Sequence, residues 1–127
     1  MPARDLFEYV VIRIVPRVER EEFINAGVIL YCAKQCFLQT CYAVDKARIR
    51  ALYAEADAAL ISENLHSLQR ICEGAAEGGP IAALDMPARF RWLTAMRSTV
   101  VQTSRPHPGL CANAAEKLEQ LFQELVA

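Results

Sequence analysis

The chain has 127 residues, 54% of them hydrophobic and 23% charged, with a formal net charge of −1. A chain of this length forms one domain, 1–127, and buries roughly two-thirds of its unfolded surface without staples. Disorder throughout is excluded, because it needs few apolar residues and high net charge. A near-neutral total also supplies no field that steers nucleic acid.

Leu6 to Val15 is rich in β-branched and aromatic residues and predicts a first strand. Val10, Ile12 and Ile14 share one face; Phe7, Tyr9, Val11 and Val15 share the other. Apolar side chains on both faces predict a strand covered at least partly on both sides. Arg13 interrupts the pattern. A buried arginine needs a partner, and Glu8, Glu21 and Glu22 are the candidates. The alternative joins Arg13, Arg17 and Arg20 with Arg97 in an anion-binding surface. Pro16 ends the strand, and RVEREE is a charged connector with room for one helical turn.

Ala26 to Cys32 and Cys36 to Val44 predict two further strands in a hairpin. Gly27 allows a bulge or a close backbone approach. Asn25, in a turn before it, is a candidate ligand contact. Asp45 predicts the cap of a short helix to Tyr53. Asp57 predicts the cap of a longer one, with the stripe Leu60, Ile61, Leu65, Leu68, Ile71 and Cys72, and Gly74 as its stop. His66 lies beside that stripe as a boundary residue.

GAAEGGP is a loop. Pro87 suits the start of a short helix carrying Phe90, Trp92 and Leu93. Ser98 to Thr103 predicts a fourth strand. Asn113 and Glu116 then resemble a capping box ahead of a last helix with the stripe Leu118, Leu121, Phe122 and Leu125. Three strands, then helices, then a strand and a helix predict an α+β domain with a mainly antiparallel sheet of about four strands.

RWLTAMRSTVVQTSRPHPGLC, from Arg91 to Cys111, is the densest polar stretch. It gathers Arg97, Ser98, Thr99, Gln102, Ser104, Arg105 and His107, and Pro106, Pro108 and Gly109 stiffen its exit as a loop. His107 is a candidate acid, base or anion ligand. Ser98, Ser104 and Cys111 are candidate nucleophiles, and Arg97 suits a carboxylate or phosphate. No GxSxG elbow, P-loop, GxGxxG, HExxH or DNA-reading motif accompanies them. Turn chemistry alone explains many of these polar residues.

The cysteines are Cys32, Cys36, Cys41, Cys72 and Cys111. An odd count without a secretion signal predicts reduced thiols. Three lie close together, but there is no CxxC pair, and a fourth zinc ligand would have to come from His66, His107, Cys72 or Cys111. No metal and no cofactor is expected. The first apolar run is broken by Arg13 and Pro16, so it predicts neither anchor nor signal peptide. Cytoplasmic residence and no membrane contact are expected.

Two stretches carry a resemblance: FEYVVIRIVPRVEREEFINAGVILYC, Phe7 to Cys32, and RFRWLTAMRSTVVQTSRPHPGLC, Arg89 to Cys111. With LQRICEG and GGPIAAL between them, nearly the full chain resembles the bacterial family catalogued as domain of unknown function 3037. Arg13, Pro16, Arg17, Glu21, Phe23, Asn25 and Gly27 match its pattern, as do Arg97, Ser98, Thr99, Gln102, His107, Gly109 and Cys111. Pro108 departs from it, standing where a threonine or small polar residue is expected. The resemblance implies a small stand-alone bacterial protein. It suggests an accessory role beside a HipA-like kinase, because some members are encoded beside such proteins.

The resulting expectation is a non-catalytic interaction module, with a HipA-like kinase or a second copy of the chain as partner and no nucleic acid. The alternative is a protein or enzyme that binds a phosphate or nucleotide ligand through the Arg97, Ser98 and His107 cluster. In either case the fourth strand is expected beside the first, bringing Arg13 and Asn25 toward Arg97 and His107.

Overall fold

The computed structural model describes residues 3–95 and 100–127. Its strands are β1 (Asp5–Ile14), β2 (Ile24–Cys32), β3 (Phe37–Tyr42), β4 (Val101–Thr103) and β5 (His107–Cys111). Its α-helices are α1 (Lys46–Leu52), α2 (Ala58–Glu73), α3 (Met86–Thr94) and α4 (Ala114–Leu125). The expected helical turn in the charged connector is a 3₁₀ turn at Val18–Arg20.

The sheet is antiparallel and runs β3-β2-β1-β4, with β5 also on β1. Thus β4 and β5 share one edge of β1: β4 lies beside Ile12–Ile14 and β5 beside Asp5–Tyr9. The fold is the expected α+β domain, with five strands rather than about four. The additional strand corrects the reading of Pro106–Gly109 as a loop. Pro108 lacks an N–H, but an edge strand tolerates that loss. A Cβ on Gly109 would lie 2.6 Å from the Phe7 ring, so glycine lets the two strands approach there.

Ser104 fills the break between β4 and β5. Its N–H donates to the Val11 carbonyl at 2.9 Å, and its Oγ accepts from the Val11 N–H at 2.9 Å. The side chain thereby replaces a ladder carbonyl. Upstream, the Val15 N–H donates to the Val100 carbonyl and extends the β1–β4 pairing beyond Ile14.

The period-two pattern of β1 divides the core. Val10, Ile12 and Ile14 pack with Ile49 of α1, Leu65 and Ile71 of α2, and Phe90 and Leu93 of α3. Phe7 packs on the other face with Val28 and Leu30 of β2 and with Leu118 and Leu121 of α4. The expected bulge lies between Ile12 and Arg13, opposite Gly27 and Asn25. A Cβ at Gly27 would meet the Cys41 carbonyl and the Tyr42 Cβ at 2.7 Å, which excludes a side chain there.

Asp45, Asp57 and Asn113 cap α1, α2 and α4, each side chain accepting the N–H of the residue three further on. Asp85 does the same for α3, two residues before the Pro87 that marks this helix in the sequence. Gly74 closes α2 at φ 68°, a left-handed conformation that suits glycine. Arg89 of α3 adds a second closure, its Nη1 donating to the carbonyls of Ile71 and Cys72. Leu60, expected in the buried stripe of α2, is exposed; Ile61, Leu65, Ile71 and Cys72 carry that stripe.

Candidate functional site

The strand register builds the candidate site. Arg13 pairs with Asn25 of β2 on one side and with Gln102 of β4 on the other. These three residues therefore form a row across the sheet, on the face that α4 shares. Four residues back along β1, Tyr9 pairs with His107 of β5, and their rings lie 5.2 Å apart. Four strand residues span about 13 Å, so His107 and Arg13 share a face without touching. His107 opens an edge strand here and does not sit in the polar loop expected from the sequence. Arg97, Ser98 and Thr99 lie outside the described residues.

Arg13 does not take the carboxylate partner expected of it. Its guanidinium carbon lies 4.4 Å from the centroid of the Phe23 ring, a cation–π contact, and Glu22 instead pairs with Arg20. Nε of Arg13 is buried without a hydrogen-bond partner, as is Oδ1 of Asn25. The Nδ2 of Asn25 donates to the Leu125 carbonyl and ties the end of α4 to the sheet. Asn25 also lines a hollow of about 330 Å³ with Arg48, Phe122 and Val126. Arg17 turns elsewhere, to Glu19 at 2.9 Å and over the ring of Tyr53.

Helix α4 lies over β2 and β3. On the same face of β1, α4 meets Phe7 through Leu118 and Leu121, with Tyr9 packed against that cluster, while Tyr9, Arg13, Gln102 and His107 remain half-buried. Phe23, 47% exposed, sits at the margin of this face. Tyr9 is absent from the sequence-based candidates, yet its odd position on β1, in step with Phe7 and Arg13, is the signal that places it there.

Of the candidate nucleophiles, Ser98 lies outside the described residues, and Ser104 and Cys111 are occupied or suppressed. Ser104 is buried, and its hydroxyl serves Val11 and the Arg105 carbonyl. Burial pushes the Cys111 thiol up, and neighbouring Cys32 adds to the effect, opposite to the activation that a nucleophilic thiol needs. Burial, then the Glu119 carboxylate, raises Cys41 likewise. Of the three clustered thiols only Cys32 is buried; Cys36 is exposed and Cys41 half-buried. Among the described residues, no group of three or more His, Cys, Asp or Glu side chains is placed to hold a metal ion. Among the same residues, no helix is long and apolar enough to cross a membrane.

Fold and face together define a small α+β protein whose antiparallel sheet is fully roofed by helices on one side and half-roofed on the other. The chain belongs to the family described as Protein of unknown function (DUF3037), whose profile matches residues 9–126. No curated protein and no solved structure matches it.

Proposed function

We propose that this protein is a non-catalytic, cytoplasmic interaction module, an accessory partner of a HipA-like kinase, and that it docks through the half-roofed sheet face. The observation that carries this reading is the makeup of that face. It presents Tyr9, His107 and Arg13, each half-buried, with the exposed Phe23 at its margin. Aromatic residues and arginine are the types enriched where protein interfaces are most strongly held. Rigid strands also present them at little entropic cost.

Co-expression with a HipA-like kinase tests the reading. The pair is expected to co-purify, and Tyr9→Ala with Arg13→Ala to abolish retention while the variant stays folded. Failure of the wild type to associate, with kinase activity unchanged by its presence, sinks the reading.

A second reading has its own support. The unpartnered Nε of Arg13 and Oδ1 of Asn25 are neighbours in register, one a donor and one an acceptor. Buried polar groups without partners are costly, and a ligand with complementary groups would satisfy both. In this reading the chain binds a phosphate ester or nucleotide with Arg13, Asn25 and Gln102, assisted by Arg97, Ser98, Thr99 and His107. A thermal-shift screen with nucleotides and phosphate esters checks it. Stabilisation that survives both His107→Ala and Arg97→Ala removes the Arg97, Ser98 and His107 cluster from the site.

Self-association has separate support. Leu6 and Leu110 face each other across β1 and β5 and are 61% and 58% exposed. A near-zero net charge does little to keep copies apart. Sedimentation of the wild type against Leu110→Asp measures this contact.

A further inference from the structure

A second polar hollow lies on the helical layer, on the opposite side of the sheet from the face described above. It encloses about 670 Å³ between the exposed stripe of α2 and the corner where β3 leads into α1. Ser62, Glu63, His66, Ser67 and Arg70 line it from α2, and Lys46 from the first residue of α1. Helical spacing explains the first wall: residues 62, 63, 66, 67 and 70 fall on one side, opposite the buried Ile61, Leu65 and Cys72. Tyr42 closes the corner, its Oη donating to Gln69 of α2 at 3.2 Å and bracing the two walls.

The charge there is uneven. Lys46 and Arg70 bring two permanent cations, and Glu63 is the single carboxylate on the lining. Ion pairs between described residues are Arg17–Glu19 and Arg20–Glu22, so neither Lys46 nor Arg70 is consumed by one. Serine hydroxyls and the His66 ring supply further hydrogen-bonding groups beside them. In a chain of net charge −1, two unpaired cations and several hydroxyls share one concavity. A tetrahedral dianion with several acceptor oxygens matches that set. A guanidinium fork and a point-charge ammonium recognise it in complementary ways.

We propose that this hollow is a phosphate-monoester site in which Lys46 and Arg70 bind the phosphoryl oxygens and Ser62, His66 and Ser67 add hydrogen bonds. Glu63 sets an upper limit on its affinity through repulsion. The ester arrives either as a small metabolite or as a phosphorylated side chain of a protein. The site is independent of the docking face and of the ligand reading given to Arg13.

An amide-resolved NMR titration at constant ionic strength tests it, with inorganic phosphate, O-phosphoserine and a phosphoserine-containing peptide as probes. Each probe is expected to shift the amides of Lys46, Ser62, His66 and Arg70. Tighter binding of the peptide than of O-phosphoserine identifies a protein source; equal binding identifies a small ester. Lys46→Ala and Arg70→Ala are each expected to weaken binding about tenfold. Glu63→Gln is expected to tighten it roughly twofold. Lys34→Ala, which removes an equal charge from the distant β2–β3 turn, is expected to leave it unchanged. Absence of shifts at the four amides with all three probes overturns the proposal. So does binding that Lys34→Ala weakens as much as Arg70→Ala does, because that is general charge attraction.

Discussion

The two faces of the sheet are built from the same strands and do different work. One is closed by α1, α2 and α3 over Val10, Ile12, Ile14 and Ile29, with Ile12 and Ile29 fully out of solvent. The other carries α4, which covers β2 and β3 and reaches Phe7 of β1, while Tyr9, Arg13, Gln102 and His107 stay half-buried on its more open part. Burying a large aliphatic side chain contributes ~1.5–3 kcal/mol before entropy is charged, so the closed face carries most of the stability. Tyr9, Arg13 and His107 stand where β-branched aliphatics would pack as well on a strand.

The contrast is broken if substitutions on the two faces cost the same. The largest loss is expected at Leu65, fully buried in α2 against the closed face. Leu65→Ala is expected to cost ~2–5 kcal/mol, the removed methyl groups plus the cavity they leave. Urea denaturation measures it as a fall in midpoint at constant m-value. A loss below that of Phe23→Ala on the margin of the open face would reverse the assignment of stability.

At the edge of the open face, Ser104→Ala tests whether the break between β4 and β5 is a built feature. The substitution leaves the buried Val11 N–H without its acceptor. It is expected to cost ~1–3 kcal/mol, the penalty for an unsatisfied donor. Hydrogen exchange at Val11 is expected to accelerate together with that at Ser104, while exchange at Ile29 follows only the change in global stability.

On the closed face, Cys72 links packing to pH. Burial pushes its thiol from the ordinary 9.0 up to about 12, with Arg89 opposing the shift. The unfolded thiol therefore ionises first. The stabilisation is complete below pH 9 and is lost between pH 9 and about 12, where only the unfolded chain releases the proton. By pH 10 the loss is expected to reach about 1.4 kcal/mol. Urea midpoints at pH 7 and pH 10, for the wild type and Cys72→Ala, check it: the variant is expected to fall less. The exposed Cys36 is expected to react with a thiol reagent in native buffer, and Cys72 only after unfolding.

Much of this was legible in the sequence, for physical reasons that can be named. Strand alternation separated Val10, Ile12 and Ile14 from Phe7 and Tyr9, and both sets found the cores their parity implies. Asp45, Asp57 and Asn113 announced helix starts because a short acceptor is needed beside free N–H groups. The strand β5 was not legible, since Pro106, Pro108 and Gly109 punctuate like a turn. An edge position and the close approach to Phe7 override that signal. Arg13 advertised a partner without specifying that an aromatic ring would serve. Of the candidate site, the row of Arg13, Asn25 and Gln102 follows from strand pairing. The roof over only half of the face does not. The apolar stripe of α4 gives the side that it buries but not which strands lie beneath it.

The smallest expected change in stability is at His107, and it sharpens the contrast most. Its ring meets Tyr9 at 5.2 Å in a tilted pair, half-buried at the start of an edge strand. An aromatic pair contributes ~0.5–1.5 kcal/mol, and exposure to solvent favours the lower end. His107→Ala is therefore expected to shift the urea midpoint far less than Leu65→Ala, yet to weaken retention by the proposed kinase-like partner about tenfold or more. A residue that served packing alone would lose stability and binding in proportion. Midpoint and retention measured on the same preparation separate the two outcomes, and a proportional loss would reduce the open face to an ordinary sheet surface.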